Sequence, residues 1–74
     1  MIVSVRCLAD LAGSTPPDGR LPLPETATVG FAADRLGIAP EAVGTFLVNS
    51  APADRTAPLA PGDVLTVIPP ITGG

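Results

Sequence analysis

The chain has 74 residues, a net charge of −3 and a hydrophobic fraction of 46%, with one cysteine and no histidine. This length allows one small domain, and the composition excludes an internal disulfide, a Cys/His metal site and a Cys–His nucleophile pair. No apolar run is long enough to span a membrane, and we see no basic start followed by an apolar segment and a cleavage site. No basic cluster suits nucleic acid, so we expect a cytoplasmic protein with a basic protein partner.

The first third of the chain predicts two strands separated by a loop. Residues 2–8 alternate in the manner of a half-buried strand. Breakers dominate residues 9–19 and predict a loop, with room for a helical turn at 10–12. Residues 20–24 predict a short antiparallel strand, which two prolines confine to a sheet edge. The apolar face of the first strand consists of Val3, Val5 and Cys7.

A short amphipathic helix is predicted next. Thr28 suits an N-cap and Gly37 a C-terminal stop. Phe31 falls nearly opposite the apolar stripe, which leaves three interpretations open: a rotated helix, an i,i+4 contact with Arg35, or a contact with a partner. The stripe between the two ends consists of Val29, Ala32, Ala33 and Leu36.

The second half predicts three further strands. A brief turn at 40–42 precedes a strand at 45–49, in which Phe46 and Val48 share one face and Leu47 points to the other. Asn49-Ser50 suits a tight turn into a short edge strand within 51–57.

The strong turn signal at 59–63 leads into the last strand, 64–68, which is apolar on both faces. That pattern places the strand inside the sheet. The fold class is therefore α+β: a mixed sheet of four or five strands with one main helix across one face, which leaves the other face free for a partner.

The end of the chain carries the strongest functional signal. Pro69 and Pro70 remove two backbone donors, so the strand must leave the sheet as an extended arm with a reach of roughly 20 Å. Gly73 and Gly74 present bare backbone that can thread a narrow channel. We expect a domain at 1–68, a flexible tail at 69–74, and a working group at the terminal carboxylate, although a frayed end is the ordinary alternative.

Several segments resemble the MoaD/ThiS family of ubiquitin-like sulfur carriers. The specific ones are the turn Leu59-Ala60-Pro61-Gly62-Asp63 at its distance from the end, and the ending Pro69-Pro70-Ile71-Thr72-Gly73-Gly74. The start at 5–13 is similar to the MoaD start, and the likeness covers nearly the whole chain. Departures are the small Ala32 and Ala33, Phe31 at a position that is usually polar, and Asn-Ser in place of Asn-Gly.

The resemblance implies a β-grasp fold and a carrier that is no enzyme by itself. Gly74 would be adenylated by an E1-like enzyme and converted by a sulfur donor to a thiocarboxylate, which gives its sulfur to a cofactor precursor. Gly73 would permit threading, while Ile68, Pro69, Pro70, Ile71 and Thr72 would dock and set the reach. The chain would bind no cofactor or metal, because ATP and Mg²⁺ belong to the activating enzyme.

Three hypotheses about the function of the chain follow from this tail. Pro-Pro-X-X-Gly-Gly is more similar to the small subunit of molybdopterin synthase than to thiamine carriers, so the implied acceptor is a MoaE-like large subunit. The alternatives are thiazole synthase in thiamine synthesis and an enzyme that makes the tungsten cofactor or another sulfur-containing metabolite. A ubiquitin-like modifier attached to lysines uses the same tail. A plain interaction domain with an incidental Gly-Gly end is the third hypothesis.

Overall fold

A five-stranded mixed sheet with one α-helix makes up the computed structural model, which describes residues 1–70. The spatial strand order is β2-β1-β5-β3-β4. Short 3₁₀ helices follow β1 and precede β3, at Ala9–Ser14 and Pro40–Ala42. The strands are β1 (Ile2–Cys7), β2 (Arg20–Pro22), β3 (Thr45–Val48), β4 (Ala51–Ala53) and β5 (Val64–Ile68), and the helix is α1 (Val29–Arg35).

The last strand, β5, is the centre of the sheet, as its two apolar faces predict. It pairs in parallel with β1 and antiparallel with β3, so both of its edges are satisfied. The proline-containing strands β2 and β4 lie at the two edges, where a missing N–H does least harm. Both edge strands have three residues, shorter than the segments that their sequences predict.

Helix α1 closes one face of the sheet. The Thr28 hydroxyl accepts a hydrogen bond from the Phe31 N–H at 3.2 Å, and Gly37 ends the helix with a φ of +76°, so both predicted ends are confirmed. Three residues of the predicted stripe, Val29, Ala32 and Ala33, are fully buried against the sheet. The inward side chains of the sheet in this core are Val3, Val5, Cys7, Leu21, Phe46, Leu65 and Val67, and the connecting segments add Leu23, Ala27, Ile38 and Leu59.

Phe31 takes the second of its three predicted positions. Its ring lies 5.3 Å from the guanidinium carbon of Arg35, one helical turn later, and 41% of the residue is exposed. The helix is therefore not rotated, and a cation–π contact accounts for an aromatic residue on the polar side.

No helix within residues 1–70 is long and apolar enough to cross a membrane.

The β3–β4 turn is strained at one residue. Asn49 and Ser50 both have positive φ, +51° and +71°, as a two-residue type I′ hairpin requires. Asparagine tolerates this region, whereas a serine there is strained.

Ser50→Gly should therefore raise the free energy of unfolding by about 0.5 to 1 kcal/mol and Tm by about 2 to 8 °C, after allowance for the entropy of glycine. Thermal unfolding followed by circular dichroism measures the shift. Ser50→Ala is the matched control because it removes the hydroxyl without freeing the backbone. Equal stabilisation by both variants would show that the backbone conformation is not the cause.

Candidate functional site

We call Ile68, Pro69 and Pro70 the root of the tail, and they lie at one end of the sheet, where its central strand β5 ends. Ile68, the last residue of β5, pairs with Thr45 at the start of β3. On the other side, the Leu8 N–H donates to the Val67 carbonyl at 3.0 Å, so Leu8 flanks the same end of β5. The tail thus starts from the middle of the sheet, with Thr45 on one side and Leu8 on the other, each next to the end of β5.

Pro69 and Pro70 end the sheet, as predicted. Strand pairing stops at Ile68, and Pro70 is exposed while Pro69 is half-buried. Gly44, just before β3, donates its N–H to the Ile68 carbonyl at 2.7 Å. A β-carbon built on Gly44 would lie 2.7 Å from the Cα of Pro70, so the proline segment passes directly over this glycine.

Four of the predicted site residues, Ile71, Thr72, Gly73 and Gly74, lie outside the described residues. Their roles, the flexible tail at 69–74 and the domain boundary before Pro69 therefore stay predictions. The structure places the other three, Ile68, Pro69 and Pro70, together at the root of the tail.

The sheet face opposite α1 is open, and we call it the outer face. The register aligns Arg6, Thr66 and Leu47 in one row across β1, β5 and β3. Ile2, 54% exposed, and Leu8, 44% exposed, extend the apolar surface along the side of β1. The outer face consists of Ile2, Ser4, Arg6, Arg20, Pro22, Thr45, Leu47, Pro52, Val64, Thr66 and Ile68, with Leu8 at its border.

Charge is distributed unevenly between this face and the rest of the domain. The charged residues within the five strands are Arg6 and Arg20, both exposed and both on the outer side. All seven acidic residues lie in the helices and turns. The outer face thus combines apolar and uncharged polar side chains with two arginines, although the whole chain carries a charge of −3.

Asp54 has a shifted pKa, and it lies in the turn after β4. The Thr56 hydroxyl and the Thr56 N–H both donate to its carboxylate, and these hydrogen bonds lower the pKa of Asp54 below its usual value. Because the folded-state pKa is depressed, the resulting stabilisation is present at neutral pH and is lost as the pH falls through that lowered value. The role of Asp54 is to hold the turn.

Two polar links hold the start of β5 against the β3–β4 turn. The Asn49 side-chain amide donates to Asp63 Oδ1 at 2.9 Å, and Asn49 Oδ1 accepts from the Val64 N–H at 2.9 Å. Within residues 1–70, no group of three or more His, Cys, Asp and Glu side chains is arranged to hold a metal ion.

Sequence reasoning missed two residues of this site. Leu8 was assigned to the first strand but not to the root of the tail, because its place there depends on parallel pairing with β5. Gly44 was not singled out, and no local signal marks it, since its neighbours lie more than 20 positions away along the chain. Strand order, rather than a motif, brings both residues to the tail.

Solved structures from one archaeon share this fold. The crystal structure of SAMP1 from Haloferax volcanii aligns over 100% of both chains at 28% identity, with a TM-score of 0.75. A crystal structure of the H. volcanii small archaeal modifier protein 1 aligns over 95% of this chain and 98% of its own, at 25% identity and a TM-score of 0.75. These matches confirm the predicted ubiquitin-like β-grasp fold.

The solution structure of the Haloferax volcanii HVO 2177 protein shares the fold at 24% identity, covering 100% of this chain and 87% of its own, with a TM-score of 0.73. A comparison with curated proteins finds no significant match. The protein-family model of the ThiS family matches residues 7–74, which include the end of β5 and the Gly-Gly ending. The chain therefore belongs to the ThiS family, as the resemblance of its turn and tail predicted.

Proposed function

We propose that this chain is a sulfur carrier that is charged at Gly74 by another protein. The observation that carries the proposal is that the ThiS family match extends through Gly74. In the first step, the Gly74 carboxylate attacks the α-phosphate of ATP on an E1-like enzyme, forming an acyl adenylate and releasing pyrophosphate. A hydrosulfide equivalent from a sulfur donor then displaces AMP and leaves a thiocarboxylate.

The chemistry explains why the carrier needs no catalytic side chains of its own. A carboxylate is a poor acylating group until it is joined to a good leaving group, and AMP supplies one. ATP and Mg²⁺ would be held by the activating enzyme, which neutralises the phosphate charge. The carrier has only to dock and to bring Gly74 to the site.

The outer face is the proposed docking surface for the activating enzyme. It lies next to the root of the tail, since Ile68 belongs to both. Its apolar centre at Leu47 and Ile68, with Arg6 nearby, has the composition of a protein interface core with a polar rim. A partner patch with an apolar centre and acidic residues opposite Arg6 would complement it.

Within this function, we propose the small subunit of molybdopterin synthase as the role, because the ending has the Pro-Pro-X-X-Gly-Gly form. The acceptor would then be a MoaE-like large subunit. Delivery to a thiazole synthase in thiamine synthesis is the alternative. Purified acceptors of both kinds, mixed separately with the charged carrier, distinguish the two by which one consumes the thiocarboxylate.

The charging reaction is tested by intact mass spectrometry. The protein is incubated with ATP, Mg²⁺, E1-like enzymes and a sulfur donor, and a mass gain equal to exchanging one oxygen atom for sulfur is expected. A variant lacking Gly74 is the control and should show no gain. A mass gain in the variant that lacks Gly74 would contradict the proposal. So would the absence of a mass gain in the full chain with every such enzyme.

A ubiquitin-like modifier is the second candidate, because one of the matched structures is of a protein described as a small archaeal modifier protein. The adenylate would then be attacked by a lysine amine of another protein. This chain contains no lysine, so it cannot extend itself through lysine linkages. Adducts on other proteins in the same mixture, each carrying a single copy per acceptor lysine, would favour this candidate over the carrier.

A further inference from the structure

Gly44 lies between the 3₁₀ helix at Pro40–Ala42 and strand β3. Its backbone conformation does not demand glycine, because the glycines with positive φ in the described chain are Gly19, Gly37 and Gly62. What this position lacks is space for a side chain.

Backbone atoms of the tail root fill that space. A β-carbon on Gly44 would meet the Pro70 Cα at 2.7 Å, and the Pro69 carbonyl oxygen and the Pro70 nitrogen at 2.9 Å each. No side chain is available to rotate away, so an added methyl group must displace one of the two backbones.

The tail root is the segment that would move. Gly44 leads directly into β3, which is paired on both edges, with β5 and with β4. Pro69 and Pro70 are held by β5 at one end and, beside Gly44, by its hydrogen bond to the Ile68 carbonyl. Adding a methyl group at position 44 should therefore redirect Pro70 and leave the sheet in place.

We propose that Gly44 is a positioning residue. Because it has no side chain, the backbone of Pro69 and Pro70 can lie against it, and this contact, which we call the seat, sets the direction in which the tail leaves the domain. The inference rests on the proposed charging of Gly74, because direction matters only when the tail must enter another protein's active site. Docking through the outer face would be kept while delivery of Gly74 fails. A substitution far from the reacting atoms that misplaces them by about 1 Å can lower the rate about 100-fold.

The test compares Gly44→Ala with Gly13→Ala, the same substitution at a glycine with open space around it. The rate of adenylation by an E1-like enzyme is measured by the release of pyrophosphate. For Gly44→Ala we expect kcat to fall by about 10-fold to 100-fold, with KM for the carrier within about threefold of wild type. Gly13→Ala should match the wild type in both constants.

A structural readout accompanies the rates. In the wild type, nuclear Overhauser effects should connect the α protons of Gly44 with the α proton of Pro70, and Gly44→Ala should lose this contact while keeping the cross-strand contacts of β3 and β5. Lost strand contacts would mean that the sheet gave way instead, which would overturn the inference.

Pro70→Gly keeps the backbone atoms that face Gly44 but frees the φ that the proline ring fixes, and it serves if Gly44→Ala fails to fold. It should also lower kcat with little change in KM, and the double variant should be no slower than the slower single variant, because both substitutions act on the direction of the same segment. Wild-type kcat in either single variant, or additive losses, would overturn the proposed seat. A wild-type chain that no activating enzyme charges, with the Gly44–Pro70 contact present, would instead defeat the proposed function and the inference with it.

Discussion

Leu47→Asp should weaken binding to the activating enzyme by roughly 30-fold or more, the effect expected for a central interface residue that contributes about 2 kcal/mol. Leu47 lies in the middle of the outer face, on β3 and directly across from Thr66 of β5. A carboxylate there would be desolvated on docking and would face any acidic residues that complement Arg6. Isothermal titration calorimetry with the E1-like enzyme measures the loss.

Phe31→Asp is the matched control for this experiment. It places the same charge at an exposed apolar residue, but on α1, which covers the opposite side of the sheet. Its affinity should equal that of the wild type, and thermal unfolding should show that both variants fold. If Phe31→Asp weakened binding and Leu47→Asp did not, the helix side would be the docking surface instead of the outer face.

Phe46→Ala should have the largest effect on stability. The chain has two aromatic residues, and Phe46 of β3 is the buried one, 5% exposed within the core. Truncating a buried phenylalanine costs about 3 to 5 kcal/mol, whereas a domain of this size has a total stability of about 4 to 11 kcal/mol. We therefore expect a fall in Tm of at least about 12 °C, or loss of the folded state at room temperature.

Phe31→Ala provides the same chemical change at the exposed aromatic residue. The loss there is the contact with Arg35 and a partly exposed ring, so the cost should stay below about 1 kcal/mol. Urea denaturation of both variants gives the two free energies of unfolding. Equal losses would mean that the core is not centred on Phe46.

Much of the fold could be predicted because its determinants are local. Alternation along Val3, Val5 and Cys7 identifies β1 and its buried face, and capping residues identify both ends of α1. The apolar last strand was correctly placed inside the sheet. The edge strands were predicted too long, because prolines and turn residues shorten pairing by an amount that depends on the neighbouring strand.

The charge of the partner stays a prediction. The net charge of −3 suggested a basic partner, but the open side of the sheet carries Arg6 and Arg20 while the acidic residues lie in helices and turns. A net charge averages over the surface, whereas docking depends on the charges of one face. For Phe31, the distance to Arg35 supports the contact within the helix, whereas a contact with a partner stays a prediction.

By itself, the sequence determined the elements, the capping residues, the tight turns and the Pro-Pro and Gly-Gly ending, because each depends on the φ preference, side-chain periodicity or hydrogen bonding of residues close together in the chain. Tertiary structure alone decided that Gly44 lies under Pro70, that Leu8 flanks the root of the tail, and that Leu47 lies beside Thr66 on an open face. These contacts join residues far apart in sequence, and they exist only once the order and register of the strands are set.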